Sequence, residues 1–406
     1  MHPPESAPPR LHPTPAVVAV IGGLVCMSAV TIDVSMPVLA LVARDLGAEP
    51  RLAPLIISLY LVAYALGQVP VGMAADRYGR LPVLYGGLGV FLAAGAVTAL
   101  SQDMGTVLAA RFVQGLAGAA GPVLGRAVIR DIASGVRASQ LMSVMVTLLG
   151  VATLAAPLLG SGLAVLWGWR ATFTVSVALA LVLLVAVRLV LRETRPLRAG
   201  VPAASAPGQL AASVRAFFGS FQCLWGTALL ALAFGGYMTV VTGASPILVE
   251  VYGLSPGWVG PVFALSAAAY TVGGVASRRW VARFGVRGML AASVAAFAAA
   301  TLLLGAITAA GKVPLPLLWT CVSVYLLGIG LLLPNATAVA LEPVPQAAGF
   351  AAGIVGTAQI GLAALATMLA AGLYDGSAAA MTGAMTAAGA LTVLGYLAGR
   401  GRTRGP

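Results

Sequence analysis

Between two long apolar stretches, the run Gly72-Met73-Ala74-Ala75-Asp76-Arg77-Tyr78-Gly79-Arg80 compresses three charges and a glycine turn. Each flanking stretch is long enough to cross the roughly 30 Å of bilayer hydrocarbon, which takes about 20 helical residues at about 1.5 Å apiece. A loop this charged between neighbours this apolar belongs at a water interface, as the turn of a tight hairpin joining two membrane spans. Its arginines assign that interface to the cytoplasm.

The rest of the chain follows the same pattern. Of the 406 residues only 8% are charged while 60% are hydrophobic, against roughly 25% and 45–50% in soluble domains. This is the composition of an integral membrane protein, and backbone groups that must be satisfied in lipid leave helices as the spanning element. Apolar segments fall at roughly 16–42, 52–74, 81–101, 105–129, 139–165 and 170–191, and six more at roughly 217–243, 257–276, 287–310, 315–340, 347–372 and 378–399. The first lacks a cleavage pattern and is too long for a signal-peptide core, so it counts as a span. The predicted fold class is all-α, with twelve transmembrane helices in two pseudo-symmetric six-helix bundles.

With both termini in the cytoplasm, eighteen of the 23 lysines and arginines lie on the inner side. Arg44, Arg51, Arg170 and Lys312 lie on the outer side, and Arg111 within the membrane. That asymmetry sets the orientation. The net charge of +12 is read as topology, not nucleic-acid binding, because no basic cluster is interleaved with aromatics. The interval from Arg192 to Arg215, with Pro196, Pro202 and Pro207 among small residues, divides the chain nearly in half. The expected organisation is a cytoplasmic tail over 1–15, a first bundle over 16–191, a cytoplasmic linker over 192–215, a second bundle over 216–399 and a cytoplasmic tail over 400–406. Arg283-Phe284-Gly285-Val286-Arg287 echoes the opening hairpin about 206 residues later. It holds the same place between its second and third spans, which points to two parallel repeats.

Several chemistries are disfavoured. Cys26, Cys223 and Cys321 all fall in apolar stretches without motif spacing, and His2 and His12 stand in the Pro-rich tail. No disulfide framework, metal site or catalytic imidazole is expected, nor any cofactor or enzyme activity. A ligand-sensing receptor would need an output domain, and none is expected after span twelve. The stretch from Gly305 to Lys312 misses a phosphate-binding loop by one residue and lacks the following Ser or Thr.

The two-half plan and the hairpin together resemble the major facilitator superfamily, whose loop signature between spans two and three is G-x-L-a-D-R-x-G-R-[RK]. Gly72, Asp76, Arg77, Gly79 and Arg80 match it, whereas Ala74 and Leu81 depart from it. Within that superfamily the chain is similar to the Bcr/CflA group of drug:proton antiporters. The likeness rests on Asp33 with Pro37, Arg111-Phe112-Val113-Gln114-Gly115, Val128-Ile129-Arg130-Asp131, Ala156-Pro157-Leu158-Leu159-Gly160, Gly168-Trp169-Arg170 and Glu193-Thr194. It continues through Ser245-Pro246, Val251-Tyr252-Gly253-Leu254-Ser255-Pro256 and Pro334-Asn335-Ala336.

Asp33 stands some 17 residues, or about 26 Å, into span one. A charge at mid-depth costs at least about 2.5–3.5 kcal/mol on insertion scales, so it should face a watery cavity or a partner. It is either an acid near the outer interface that pairs locally or a site where proton and substrate compete. The role that the resemblance implies for acids in this span favours the second. No other acid occurs from Ile21 to Thr31, so a single titrating site is expected. Arg111, about six residues inside the outer end of span four, is at a compatible depth and is expected to form a switchable ion pair with Asp33 if their helices are neighbours. Gln114 shares its face at i+3, and Gly115 and Gly118 permit close helix approach. The alternative is a structural arginine tying helices together, while the resemblance links it to substrate or proton coupling.

Tyr60, Tyr64 and Gln68, at i, i+4 and i+8, form one stripe of span two and are candidate cavity residues, with helix packing an equal contender. Ser35, where the family commonly has tyrosine, would enlarge the cavity. Asn335, the only asparagine, suits helix–helix hydrogen bonding or ligand contact. Gly72, Asp76, Arg77, Gly79 and Arg80, with Arg130 and Asp131, are expected to control a cytoplasmic gate, or else to serve topology and hairpin stability alone. Pro157, among Gly150, Ala156, Gly160 and Gly162, should bend span five and pack it tightly. This pattern resembles the fifth-span motif characteristic of antiporters, although a kinked structural helix explains it too.

The expected function is proton-coupled export of a small amphipathic drug or antibiotic across the bacterial cytoplasmic membrane by alternating access. One elementary charge crossing 100 mV supplies about 2.3 kcal/mol, so no nucleotide site is needed. An exporter of an endogenous natural product and an uptake symporter are the alternatives on the same fold. The expected partners are the drug-like substrate, protons and the lipid bilayer, with a monomer as the working unit.

Overall fold

The computed structural model describes residues 13–133, 135–194, 207–309, 313–344 and 348–402. The tails expected over 1–15 and 400–406 and the linker over 192–215 therefore lie partly outside the described residues, and the side chains of Asp76 and Arg130 lie outside them altogether. The helices are α1 (Pro15–Ser35), α2 (Leu39–Asp45), α3 (Leu55–Tyr78), α4 (Arg80–Leu100), α5 (Met104–Gly118), α6 (Ala120–Ile132) and α7 (Gly135–Trp167). They continue with α8 (Trp169–Val190), α9 (Pro207–Gly219), α10 (Phe221–Pro246), α11 (Pro256–Ala309), α12 (Leu315–Leu341), α13 (Ala348–Gly372) and α14 (Ala379–Gly399). Among the described residues there is no strand.

Eleven helical segments of the described residues are long and apolar enough to cross a membrane. One of them, α11, leaves helical geometry at Gly285 (φ 69°, ψ 170°) and so contains two spans. The count is twelve, as composition predicts. Span one is longer than 16–42, running from Pro15 to Asp45. Pro37 does not end it but converts Met36–Val38 to a 3₁₀ turn, after which α2 resumes the path. The stretch read as linker ends in helix α9, because Pro207 occupies the first helical turn, where its missing N–H is harmless. Phe217 of that helix is buried.

Every positive-φ residue among those described is a glycine, and the six fall into three pairs related by the half-chain repeat. Gly253 follows Gly47 by 206 positions, Gly285 follows Gly79 by 206, and Gly376 follows Gly168 by 208. Gly79 (φ 97°, ψ 164°) and Gly285 (φ 69°, ψ 170°) share a conformation that is essentially glycine-only. The echo between the two hairpins is thus a shared turn geometry. Packing repeats as well: a Cβ on Gly115 would overlap the carbonyl of Tyr60, and one on Gly330 that of Tyr270. In each half a glycine lets one helix touch another's backbone.

The halves meet mainly through α7 against α11 and α3 against α13. At the end opposite the two hairpins, hydrogen bonds cross between them. Ser245 donates to Pro37 O at 2.8 Å and accepts from Ala40 N at 3.3 Å, and Ser161 accepts from Gly260 N at 2.6 Å. At this end every residue of 31–40 and 235–242 is buried. The gap beside Pro54, Thr242 and Tyr374 holds about 20 Å³, room for about one water. The molecule is shut there.

Two outcomes follow from this geometry. Gly79→Ala lowers the thermal unfolding midpoint of detergent-purified protein more than Gly285→Ala does. Both incur backbone strain of about 1–3 kcal/mol, but only at Gly79 would the new Cβ stand 2.8 Å from the Glu193 carboxylate. Ser245→Ala leaves two buried backbone groups unpaired at about 1–3 kcal/mol each. A maleimide reporter on Thr242→Cys is then labelled at least about fivefold faster than in the parent.

Candidate functional site

Asp33 lies in α1 with 4% of its surface exposed. At helical rise it stands about 27 Å from Pro15 and about 18 Å from Asp45, so the extra length of span one moves it away from the far interface. The Thr153 side chain of α7 is within hydrogen-bonding reach of its carboxyl. The phenols of Tyr237 in α10 and Tyr270 in α11 are within its electrostatic range. An acid of the first half therefore has two tyrosines of the second half in its electrostatic neighbourhood. It makes no ion pair among the described residues. Thr153, Tyr237 and Tyr270 escaped the sequence reading, although Tyr270 stands 206 residues after Tyr64 and so at its repeat position.

The expected pairing of Asp33 with Arg111 is not formed. Arg111 is fully buried and donates from Nε to Ile56 O (3.2 Å), from Nη1 to Gln114 Oε1 (2.8 Å) and from Nη2 to Ser35 Oγ (3.5 Å). Its guanidinium lies 4.6 Å from the Tyr60 ring centroid and 5.5 Å from that of Phe173. The reason is angular: residues two apart on an α-helix point about 200° apart, so Ser35 faces away from Asp33 and into the first half. Arg111 meets that reverse face. A buried guanidinium without a carboxylate is costly, and charge-assisted hydrogen bonds with two cation–π contacts offset the cost.

Three of the expected cavity residues are packed away from Asp33. Ser35, Tyr60 and Gln114 are all fully or almost fully buried around Arg111 inside the first half. The Tyr60 hydroxyl and Gln114 Nε2 are left without a partner among the described residues. Ser28, beside Tyr60, spends its own hydroxyl on Gly118 O at 2.8 Å.

Farther along span two, Tyr64 is half-buried and stacked on Tyr60 at 6.4 Å. Its hydroxyl is within reach of Arg126, an exposed cation of α6 that the sequence reading counted only toward topology. Gln68 faces α13 near Gly356, and its Nε2 is buried without a partner among the described residues. Asn335 lies in α12. Its amide donates to Ser277 Oγ and to Leu331 O, both at 2.7 Å, so it ties α12 to α11 inside the second half. Of its two candidate uses, the helix–helix bond is the one formed.

At the hairpin, Glu193 accepts from Arg80 N (3.0 Å) and Leu81 N (2.9 Å), capping the start of α4 from the end of span six. A carboxylate there also complements the helix dipole. Asp131 pairs with Arg80 Nε at 3.1 Å and accepts from Thr194 Oγ1 at 2.9 Å. Arg77 packs on Tyr78, and Gly72 faces Val123. All these contacts lie within the first half. In span five, α7 runs through Pro157 as one helix. A Cβ on Gly160 would overlap Val34 O, and one on Gly260 would overlap Pro157 O, while Gly150 has open space around it. Ala156 and Pro157 are buried, with Pro157 packed on the seam.

Comparison with known proteins agrees with this architecture. The family described as the Major Facilitator Superfamily matches residues 21–367. Multidrug resistance protein D of Escherichia coli (strain K12) is 30% identical over 85% of this chain and 86% of its own length. The bicyclomycin resistance protein homolog of Haemophilus influenzae is 27% identical over 90% and 91%. Among solved structures, a bacterial homolog of the human lysosomal transporter Spinster, inward-facing and unoccupied, superposes with a TM-score of 0.72. The match covers 95% of this chain and 98% of that one at 17% identity, a likeness of fold.

Since Asp33 and Arg111 occupy opposite sides of α1, Asp33→Asn and Arg111→Lys should act independently on stability. A double-mutant cycle read from unfolding midpoints is expected to be additive within about 0.5 kcal/mol. A larger coupling would mean that the two side chains meet.

Proposed function

The chain belongs to the Major Facilitator Superfamily, and from that premise we propose that it exports small amphipathic, drug-like compounds from the bacterial cytoplasm in exchange for protons. It is a multi-pass membrane transporter and not an enzyme. The observation that carries the proposal is Asp33, a carboxylate buried at the seam with the Thr153 hydroxyl within reach and no ion pair among the described residues. An unpaired charge at that depth is costly. A proton or a positive or hydrogen-bond-donating substrate group relieves that cost, and the two exclude each other at one carboxyl. The printed names of the multidrug and bicyclomycin resistance relatives support drugs as the cargo.

The hairpins face the cytoplasm in this reading, because the arginines concentrate there, and the shut end faces outward. The segments 16–191 and 216–399 rock against each other as a single monomeric unit joined by the linker over 192–215. Substrate enters from the cytoplasm beside Asp33, Tyr64, Gln68, Arg126, Tyr237 and Tyr270, and the Asp33 proton leaves to the cytoplasm. With the carboxylate neutralised by substrate, the seam re-forms on the cytoplasmic side and opens outside, where a proton replaces the departing cargo. The Arg80–Asp131 pair and the Glu193 cap keep the first half's rim rigid during that motion. Arg111 acts from behind span one as a positioning residue for the helix that bears Asp33.

Proton release on adding candidate antibiotics to the detergent-purified chain tests this. The native protein releases protons on binding, and Asp33→Asn binds without release. Release from both proteins would relocate the proton site, and release from neither despite measurable binding would overturn the antiport reading.

A further inference from the structure

A second feature lies away from the seam. An open cavity of about 580 Å³ sits at the hairpin end of the second half, where the start of α10, the segment after the Gly285 turn and the end of α14 come together. Trp225, Leu290 and Tyr396 form its apolar side, and Arg287, Arg400 and Arg402 line it, with no carboxylate among the lining residues. Its floor is built. Trp225 donates from Nε1 to Gly395 O at 2.8 Å and stacks on Tyr396 with ring centroids 6.0 Å apart. A Cβ on Gly399 would overlap the indole, so that glycine is what admits it. Arg402 rests against the Phe221 ring at 5.5 Å.

Positive-inside topology accounts for arginines at this end but not for their convergence on one aromatic-floored cavity. Arg278, Arg279 and Arg283 stand at the same end, on the approach to Gly285, and do not line it. Arg287 and Arg400 also interact within the chain, which leaves room for a ligand because a guanidinium carries five N–H donors. Guanidinium groups match phosphate oxygens in bidentate geometry, and basic pockets between spans on the cytoplasmic side suit anionic headgroups. Trp and Tyr at the helix ends mark the headgroup level of a bilayer. A free phosphate ion would use the arginines but not the apolar wall, whereas a phospholipid uses both.

We propose that this cavity binds the phosphodiester headgroup of an anionic phospholipid, whose acyl chains run along the exposed side of α14. The test is native mass spectrometry of the full chain in neutral detergent with phosphatidylglycerol, phosphatidylcholine or inorganic phosphate added. The native protein should retain phosphatidylglycerol in preference to phosphatidylcholine, and inorganic phosphate should not displace it. Retention should weaken about fivefold per arginine removed, in Arg402→Gln alone and further in the triple variant with Arg287→Gln and Arg400→Gln. Arg402 lies beyond the last helix, so its single change leaves the fold intact. The charge-matched variant Arg278→Gln, Arg279→Gln, Arg283→Gln should keep native retention. Equal retention by Arg402→Gln and the triple variant, equal loss in the charge-matched variant, or displacement by inorganic phosphate would each overturn the proposal.

Discussion

Backbone amides and carbonyls that leave water must be paired inside the protein, because hydrocarbon offers them nothing. Regular helix meets that demand locally, so the places where a span departs from helix are the places where distant segments have to meet. Pro37 interrupts the ladder of span one, and the groups exposed by the interruption are completed by Ser245 from the other half. The turn at Gly79 frees the first amides of α4, and Glu193 completes them from the end of span six. One junction joins the halves and the other braces the first half. Parting the halves would break the former and leave the latter in place.

Charge is partitioned by the same helix. Asp33 and Ser35 are two residues apart on α1, so span one presents a carboxylate to the seam and a hydroxyl to the interior of its own half. Arg111 is held on the interior side by Ser35, Gln114, Ile56 and two aromatic rings. That separation leaves the acid without an ion pair among the described residues. A carboxylate already paired with Arg111 would bind neither a proton nor a cationic group with much driving force, and the coupling proposed above would lose its basis.

The two halves share a skeleton and differ in chemistry. Three glycine pairs at nearly constant spacing place matching turns in each half, yet the position 206 residues after Asp33 is Thr239, whose hydroxyl is spent on Gly236 O at 2.7 Å. The second half instead contributes phenols to the seam and basic, aromatic-floored space at its hairpin end.

Fold and span count were legible because they depend on properties that each segment carries alone: apolar length and glycine turns. The hairpin echo was legible for the same reason, since φ near +70° to +100° demands glycine wherever it occurs. The site was legible only in part. Asp33 announced itself as an acid in a span, but its partners Thr153, Tyr237 and Tyr270 come from three other helices, and nothing local sets which faces converge. Depth along the chain made Asp33 and Arg111 look compatible, and the stripe Tyr60, Tyr64, Gln68 looked like one surface. The sequence by itself determined a two-fold-repeated, twelve-span helical protein with an acid and an arginine at membrane depth. Only the tertiary structure decided that they face opposite ways, because depth follows from residue count whereas azimuth follows from how helices pack around one another.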